Sequence, residues 1–152
     1  MEVNVAWTGT SGRSFLAKTG SGHAVLMDGG VEGGGHNLAP RPMEMVLLGT
    51  GGCSAYDVVL ILRKGKQDVC GCEVKLSADR AETEPKVFTK IHFHFIVTGR
   101  NLKPNLVERA IALSHEKYCS ASIMLGKTAE MSHSYEIIED LTLVSEHEKT
   151  EL

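Results

Sequence analysis

From Pro42 to Lys64 the chain reads PMEMVLLGTGGCSAYDVVLILRK, and the reading of this stretch decides the fold. Its apolar run, Met45 to Leu62, is too long for a strand, and Pro42 suits a first helical turn, where its missing N–H is not needed. A helix is therefore expected over about 42–64. Met45, Val46, Leu47 and Leu48 are consecutive, so apolar side chains fall on several faces, which predicts burial on most sides and not one amphipathic stripe. Gly49, Gly51 and Gly52 each cost about 1 kcal/mol against alanine in a helix, so they imply a close neighbour, either another helix or another subunit. With Asp57 they also interrupt the segment enough to leave it short of a membrane span.

On the N-terminal side, Val3–Trp7 alternates apolar and polar residues, Thr8–Gly12 supplies turn chemistry, and Arg13–Thr19 and His23–Met27 repeat the alternation. A small antiparallel meander is expected. Asp28–Pro40, with Gly29, Gly30, Gly33, Gly34 and Gly35, lacks periodicity and reads as a mobile loop that could serve as a lid. No strand leads through these glycines into a helix with the spacing of a phosphate cradle.

On the C-terminal side, Lys64–Gln67 ends the helix. Val69–Ala78 and Val87–Thr98 alternate as two long strands around the polar turn Glu82–Lys86. A turn near residue 84 would set Cys72 opposite about residue 96. Pro104 opens a second helix with Leu106, Ile111 and Leu113 as apolar points, running to about Lys117. A break at Tyr118 and Cys119 precedes a short helix over Ser120–Lys127 and a strand over Met131–Ile138. The whole reads as a single α+β domain over 1–140 with a charged, frayed tail over 141–152.

A chain of 152 residues is long enough for one real core. Its 42% apolar and 23% charged residues and net charge of -3 give no reason to expect nucleic acid or a membrane as partner. Glu2 stands where a signal peptide would carry basic charge, so a cytoplasmic protein is expected. In that compartment four cysteines are reactive or buried thiols and not a disulfide framework.

Cys53 lies on the long helix in Gly-Gly-Cys-Ser-Ala-Tyr-Asp, and Cys119 lies at the start of a later one. A thiolate is a strong nucleophile whose fraction at neutral pH rises near positive charge or a helix N-terminus. Oxidised to a sulfenic acid, one thiol needs a second to condense with before further oxidation destroys it. The alternative is that both are small buried hydrophobes, a common state of free cysteine. Asp57, four residues beyond Cys53, shares its helical face and would raise the thiol pKa unless a cation intervened. Its ordinary reading is a buried acid satisfied by a hydrogen bond or a cation, and Tyr56 reads as packing. Cys70-x-Cys72 and His92-x-His94 each place two ligands on one strand face, but Cys-x-Cys lacks the gap typical of zinc knuckles, and the two pairs fall several residues apart along the hairpin. No metal site and no bound cofactor are expected. Phe93 and Phe95 should face the core, with His92 and His94 on a solvent-facing or interfacial surface.

Pro42-Met43-Glu44-Met45, Gly51-Gly52-Cys53-Ser54-Ala55 and Tyr118-Cys119-Ser120 together resemble the OsmC/Ohr family (osmotically inducible and organic hydroperoxide resistance proteins), especially its YhfA-type branch. The likeness extends through Trp7, Met27-Asp28, Cys72–Leu76, Phe95–Arg100 and Ser132–Glu136. It implies an α+β intertwined homodimer, with antiparallel sheets wrapped around long central helices and active sites at the subunit boundary. It further implies reduction of organic hydroperoxides, with Cys53 attacking the peroxide, Cys119 resolving the sulfenic acid as a disulfide, and an external dithiol, small or lipoyl-type, restoring both. In peroxide-reducing members an arginine held by a glutamate stabilises the thiolate. Arg13 matches that arginine, with Arg41 as substitute. Met43 stands where the glutamate is expected, and Glu44 is one residue late, about 180° around a regular helix from Cys53. The departure keeps open a second reading, an apolar-ligand-binding or stress-related protein with little peroxidase turnover.

Overall fold

Helix α1 spans Pro42–Lys64, the bounds its sequence predicts, in a computed structural model that describes residues 1–9 and 12–141. Arg41 caps the helix. Its carbonyl accepts the Met45 N–H at 3.0 Å, and its own N–H donates to Glu44 Oε2 at 2.8 Å, the reach-back half of a capping box. The Glu44 carboxylate in the first turn and Arg63 and Lys64 in the last both complement the helix dipole. The helix stops where Lys66 turns left-handed, at φ 55°.

The chain divides into two compact units between Leu48 and Gly49. In the first, strands β1 (Val3–Trp7), β2 (Phe15–Thr19) and β3 (Ala24–Met27) form the expected antiparallel meander. Trp7 pairs with Phe15 and Phe15 with Met27, so these three share a face with Val5, Ala17 and Val25. Val3, Val5 and Trp7 nevertheless stay exposed. The glycine-rich stretch expected to be mobile is instead pinned. Buried Asp28 accepts backbone N–H groups from Gly29, His36 and Leu38 at 2.8–3.1 Å, and one 3-10 turn, Val31–Gly33, forms within it. These bonds, led by the one from Leu38, hold the Asp28 carboxyl below its ordinary range.

In the second unit, β4 (Asp68–Arg80) and β5 (Phe88–Arg100) form the expected hairpin, but one residue away from the expected register: Cys72 faces Val97, and Leu76 faces Phe93. One bulge introduces the offset and a second removes it. Thr89 is extra on β5 beside Asp79/Arg80, and Cys70 is extra on β4 between Val69 and Gly71. Phe93 and Phe95 are fully buried, as expected. After β5 come α2 (Pro104–Leu113), one wide π-turn over Ser114–Tyr118, and α3 (Ser120–Leu125). The buried positions of α2 are Val107, Ala110 and Ile111; of the expected apolar points only Ile111 is among them. Strand β6 (Glu130–Glu139) then pairs parallel to β5, so this sheet is mixed and not purely antiparallel. The intervening helices return the chain to the edge at which β5 began, which parallel pairing requires. From residue 142 on, the expected tail lies outside the described residues.

Within the chain α1 buries a single stripe, Thr50, Gly51, Ser54, Val58 and Leu62, where burial on most sides was expected. Leu48, Tyr56 and Leu60 remain exposed on other faces. The expected close neighbour exists at Gly51, where an added Cβ would lie 2.6 Å from Leu76 Cδ1, and is absent from the described chain at Gly49 and Gly52. By length and apolarity alone α1 could cross a membrane, with a mean hydropathy of 1.7 over its most apolar 18 residues, so its glycines and Asp57 do not disqualify it as the sequence reading supposed. Its stripe against Leu76 and Ser114 makes it a core helix.

Candidate functional site

Cys53 and Asp57 lie one turn apart on α1, and Cys119 is the N-cap of α3. Although 66 positions separate the cysteines, the two sulfurs and an Asp57 carboxylate oxygen all lie within 4.8 Å of one another. Both thiols are free. The π-turn makes the approach: its wider winding carries Tyr118 out to half exposure, while the Cys119 N–H bonds to Ser114 O at 2.8 Å and its side chain turns inward.

The two sulfurs have unlike surroundings. Cys119 is fully buried and accepts the Ser122 N–H at 3.4 Å, the bond of a helix cap. Burial pushes its thiol above the ordinary value; the Ser122 contacts oppose that, and the bond to Cys53 adds to it. The Cys119 thiol also donates to the Thr50 carbonyl at 4.0 Å. Cys53 is only half-buried and is the sulfur a reagent would meet first.

A polar seam backs the pair. Ser54 and Ser114 share a 3.0 Å hydrogen bond between hydroxyls, and the Ser114 hydroxyl reaches Asp57 Oδ2 at 3.3 Å. Among the described residues no lysine or arginine pairs with Asp57. Beside it opens a cavity of about 300 Å³ lined by Asp57, Leu60, Ile61, Lys64, Leu113 and Tyr118. The convergence of Asp57 with both thiols was legible only in part: the i, i+4 spacing places it with Cys53, and nothing in the spacing brings Cys119 to them.

The remaining predicted site residues belong to the first unit. Arg13 lies along the glycine loop, its Cβ only 3.2 Å from where a side chain on Gly29 would begin. Arg41 pairs with Glu32 at 2.9 Å on the surface. Glu44 is engaged in the helix cap already described.

His92 and His94 do not meet Cys70 or Cys72. They form a hydrogen-bonded row with β6, in which Ser134 Oγ lies 2.9 Å from both rings, Ser132 bonds His92 at 2.8 Å, and Glu136 lies 3.6 Å from His94. Sequence reasoning passed over His115, which stands edge-on to Phe93 and is stacked on His133. Burial first, and repulsion from His133 second, lower its pKa from 6.5 to about 4. Its Nε2 has no hydrogen-bond partner among the described residues.

Two thiols from different helices, side by side in an α+β chain with one long helix, define a class of thiol-bearing protein. The chain belongs to the OsmC-like protein family, whose model matches residues 34–134. It is 53% identical to Protein YhfA of Escherichia coli (strain K12) over 138 residues, covering 91% of this chain and 98% of that one. A hypothetical protein from Aquifex aeolicus VF5 superposes with a TM-score of 0.79 at 28% identity, over 91% of this chain and 96% of that one. An organic hydroperoxide resistance protein from Legionella pneumophila shares the fold, with a TM-score of 0.66 at 19% identity over 89% and 95% of the two chains.

Proposed function

We propose that the protein reduces organic hydroperoxides through Cys53 and Cys119. The observation that carries this reading is the pairing of a partly accessible and a fully buried cysteine whose sulfurs lie within 4.8 Å. The Cys53 thiolate attacks the distal peroxide oxygen, the O–O bond breaks, and the alkoxide leaves and takes a proton to become the alcohol. Cys53 is then a sulfenic acid. The Cys119 sulfur, on losing its proton, attacks the sulfenic sulfur and expels water, forming the disulfide. A disulfide needs sulfurs about 2.05 Å apart, so the pair must close by less than about 3 Å. An external dithiol reduces the disulfide and is itself oxidised.

The apolar walls Leu60, Ile61 and Leu113 beside Asp57 suit an alkyl group. At about 0.8 kcal/mol per buried CH₂ they favour longer hydroperoxides over hydrogen peroxide. To Arg13, with Arg41 as substitute, we assign the cationic role the family resemblance implies; to Glu44 we assign the support of that cation. The exposed apolar side chains of β1 and α1, together with open Gly49 and Gly52, suit a homodimer in which a second copy covers them. A cytoplasmic location fits four free thiols.

The test is stopped-flow oxidation of the reduced protein by an organic hydroperoxide. Fast consumption that requires Cys53 supports the reading, and consumption at the rate of a free thiol contradicts it. A second reading, an apolar-ligand-binding protein with little turnover, is favoured by the open groove of about 500 Å³ along α1, lined by Gly52, Ala55, Tyr56, Val59, Leu60 and Arg63. Ligand binding unchanged in Cys53→Ser, with background peroxide consumption by the wild type, would select it.

A further inference from the structure

The placement of Asp57 is the feature that peroxide chemistry leaves unexplained. Its carboxylate lies within 4.8 Å of both sulfurs, and among the described residues no lysine or arginine forms an ion pair with it. From Cys53, Asp57 and Cys119 we infer a binding site for a thiophilic divalent cation of the zinc or cadmium kind.

The donor set fits such an ion. Two thiolates and one carboxylate are three protein ligands, leaving a fourth tetrahedral position for water or an outside thiol. With zinc–sulfur bonds of about 2.3 Å and zinc–oxygen bonds of about 2.0 Å, tetrahedral ligand atoms lie roughly 3.5–3.8 Å apart, so donors already within 4.8 Å need close by no more than about 1.3 Å. The donors come from separate elements, with Cys53 and Asp57 on one face of α1 and Cys119 at the N-cap of α3. Groups behind the donors hold them in place. The Ser114 hydroxyl orients Asp57 at 3.3 Å, and the Ser122 N–H donates to the Cys119 sulfur at 3.4 Å. Sulfur donors select soft and borderline ions over magnesium or calcium. Among the described residues this is where three potential ligands converge; Cys70, Cys72, His92 and His94 do not.

The ion holds both sulfurs as thiolates, so the thiol protons present before binding are released. The cation supplies the charge that lets buried Cys119 ionise. Disulfide formation consumes both sulfur donors, so hydroperoxide and metal compete for the same atoms: the bound ion shields the thiols, and the disulfide cannot hold the ion. This inference does not depend on peroxide turnover.

The experiment is anaerobic titration of the reduced full-length protein with cadmium, followed through the thiolate-to-metal charge-transfer band and through proton release. One ion per chain is expected, with release of protons as it binds. Bound ion should protect half-buried Cys53 from alkylation in mass mapping while exposed Cys70 stays labelled, a readout that needs no variant. Cys53→Ser and Cys119→Ser should each weaken binding more than about 100-fold, beyond the 10–100-fold of outer-shell changes, and Asp57→Asn about 10-fold. Cys70→Ser and Cys72→Ser should change nothing. The inference is overturned if binding is absent, if protection falls on Cys70 or Cys72, or if Asp57→Asn folds and binds as the wild type does. Metal binding without peroxide consumption would remove the proposed function alone, and peroxide consumption without metal binding would remove this inference alone.

Discussion

The chain carries two pairs of cysteines, and the pair that is close in sequence is the less equipped for chemistry. Cys70 and Cys72 sit two residues apart on β4, where the bulge makes Cys70 the unpaired residue beside Asp140 at 3.6 Å. Desolvation first, and the Asp140 carboxylate second, push the Cys70 thiol up; desolvation alone raises Cys72. Both are free thiols. Cys53 and Cys119 are 66 positions apart, yet a helix face and a helix cap bring them together, with one sulfur buried and its partner reachable. Thiol chemistry depends on where sulfurs end up in three dimensions and on what charge surrounds them, not on their spacing along the chain.

The sharpest way to break this contrast is substitution. Cys53→Ser should lower the second-order rate of organic hydroperoxide consumption on the order of 10³-fold, whereas Cys70→Ser and Cys72→Ser should stay within about twofold. A comparable loss in Cys70→Ser would erase the distinction between the pairs. Cys119→Ser should permit one rapid oxidation of Cys53 and then stall, with turnover down about 100-fold and sulfinic acid accumulating under excess peroxide. Intact mass before and after a burst reads this out, and continued turnover would show that Cys119 is not the resolving thiol.

The frame behind the pair can be probed more gently. Gly51→Val forces a branched side chain onto Leu76 and should cost about 1–3 kcal/mol, seen as a lower Tm. An unchanged Tm would mean that α1 does not rest on β4 as described.

His115 gives a smaller, pH-dependent effect. Its pKa is about 4 when folded against 6.5 unfolded, so the unfolded chain binds more protons between those values. The stability it contributes is complete above about pH 6.5 and is lost as pH falls toward 4. Discounted for the ring's partial exposure, the loss is about 1–2 kcal/mol. Denaturant unfolding at pH 7 and pH 4.5 should show it, and His115→Phe should flatten that slope; an identical slope in the variant would reassign it to other groups.

How much of this was legible in the sequence follows from the range of the forces involved. The bounds of α1 were readable because Pro42 and a long apolar run are local signals. The hairpin was readable too, but its register was not, because bulges at Cys70 and Thr89 depend on the partner strand. The parallel pairing of β6 escaped because alternation is the same in parallel and antiparallel strands. The single buried stripe of α1 differs from the expected all-round burial because its apolar content exceeds what one described chain covers. At the candidate site Asp57 was placed with Cys53 by helical spacing, while the meeting with Cys119 rests on a π-turn that no periodicity announces.

The most direct measurement is mass mapping of disulfides after one equivalent of organic hydroperoxide is added to the fully reduced protein. One intrachain link is expected, Cys53 to Cys119, with Cys70 and Cys72 left as free thiols. A link through Cys70 or Cys72, or an over-oxidised Cys53 beside an untouched Cys119, would contradict it.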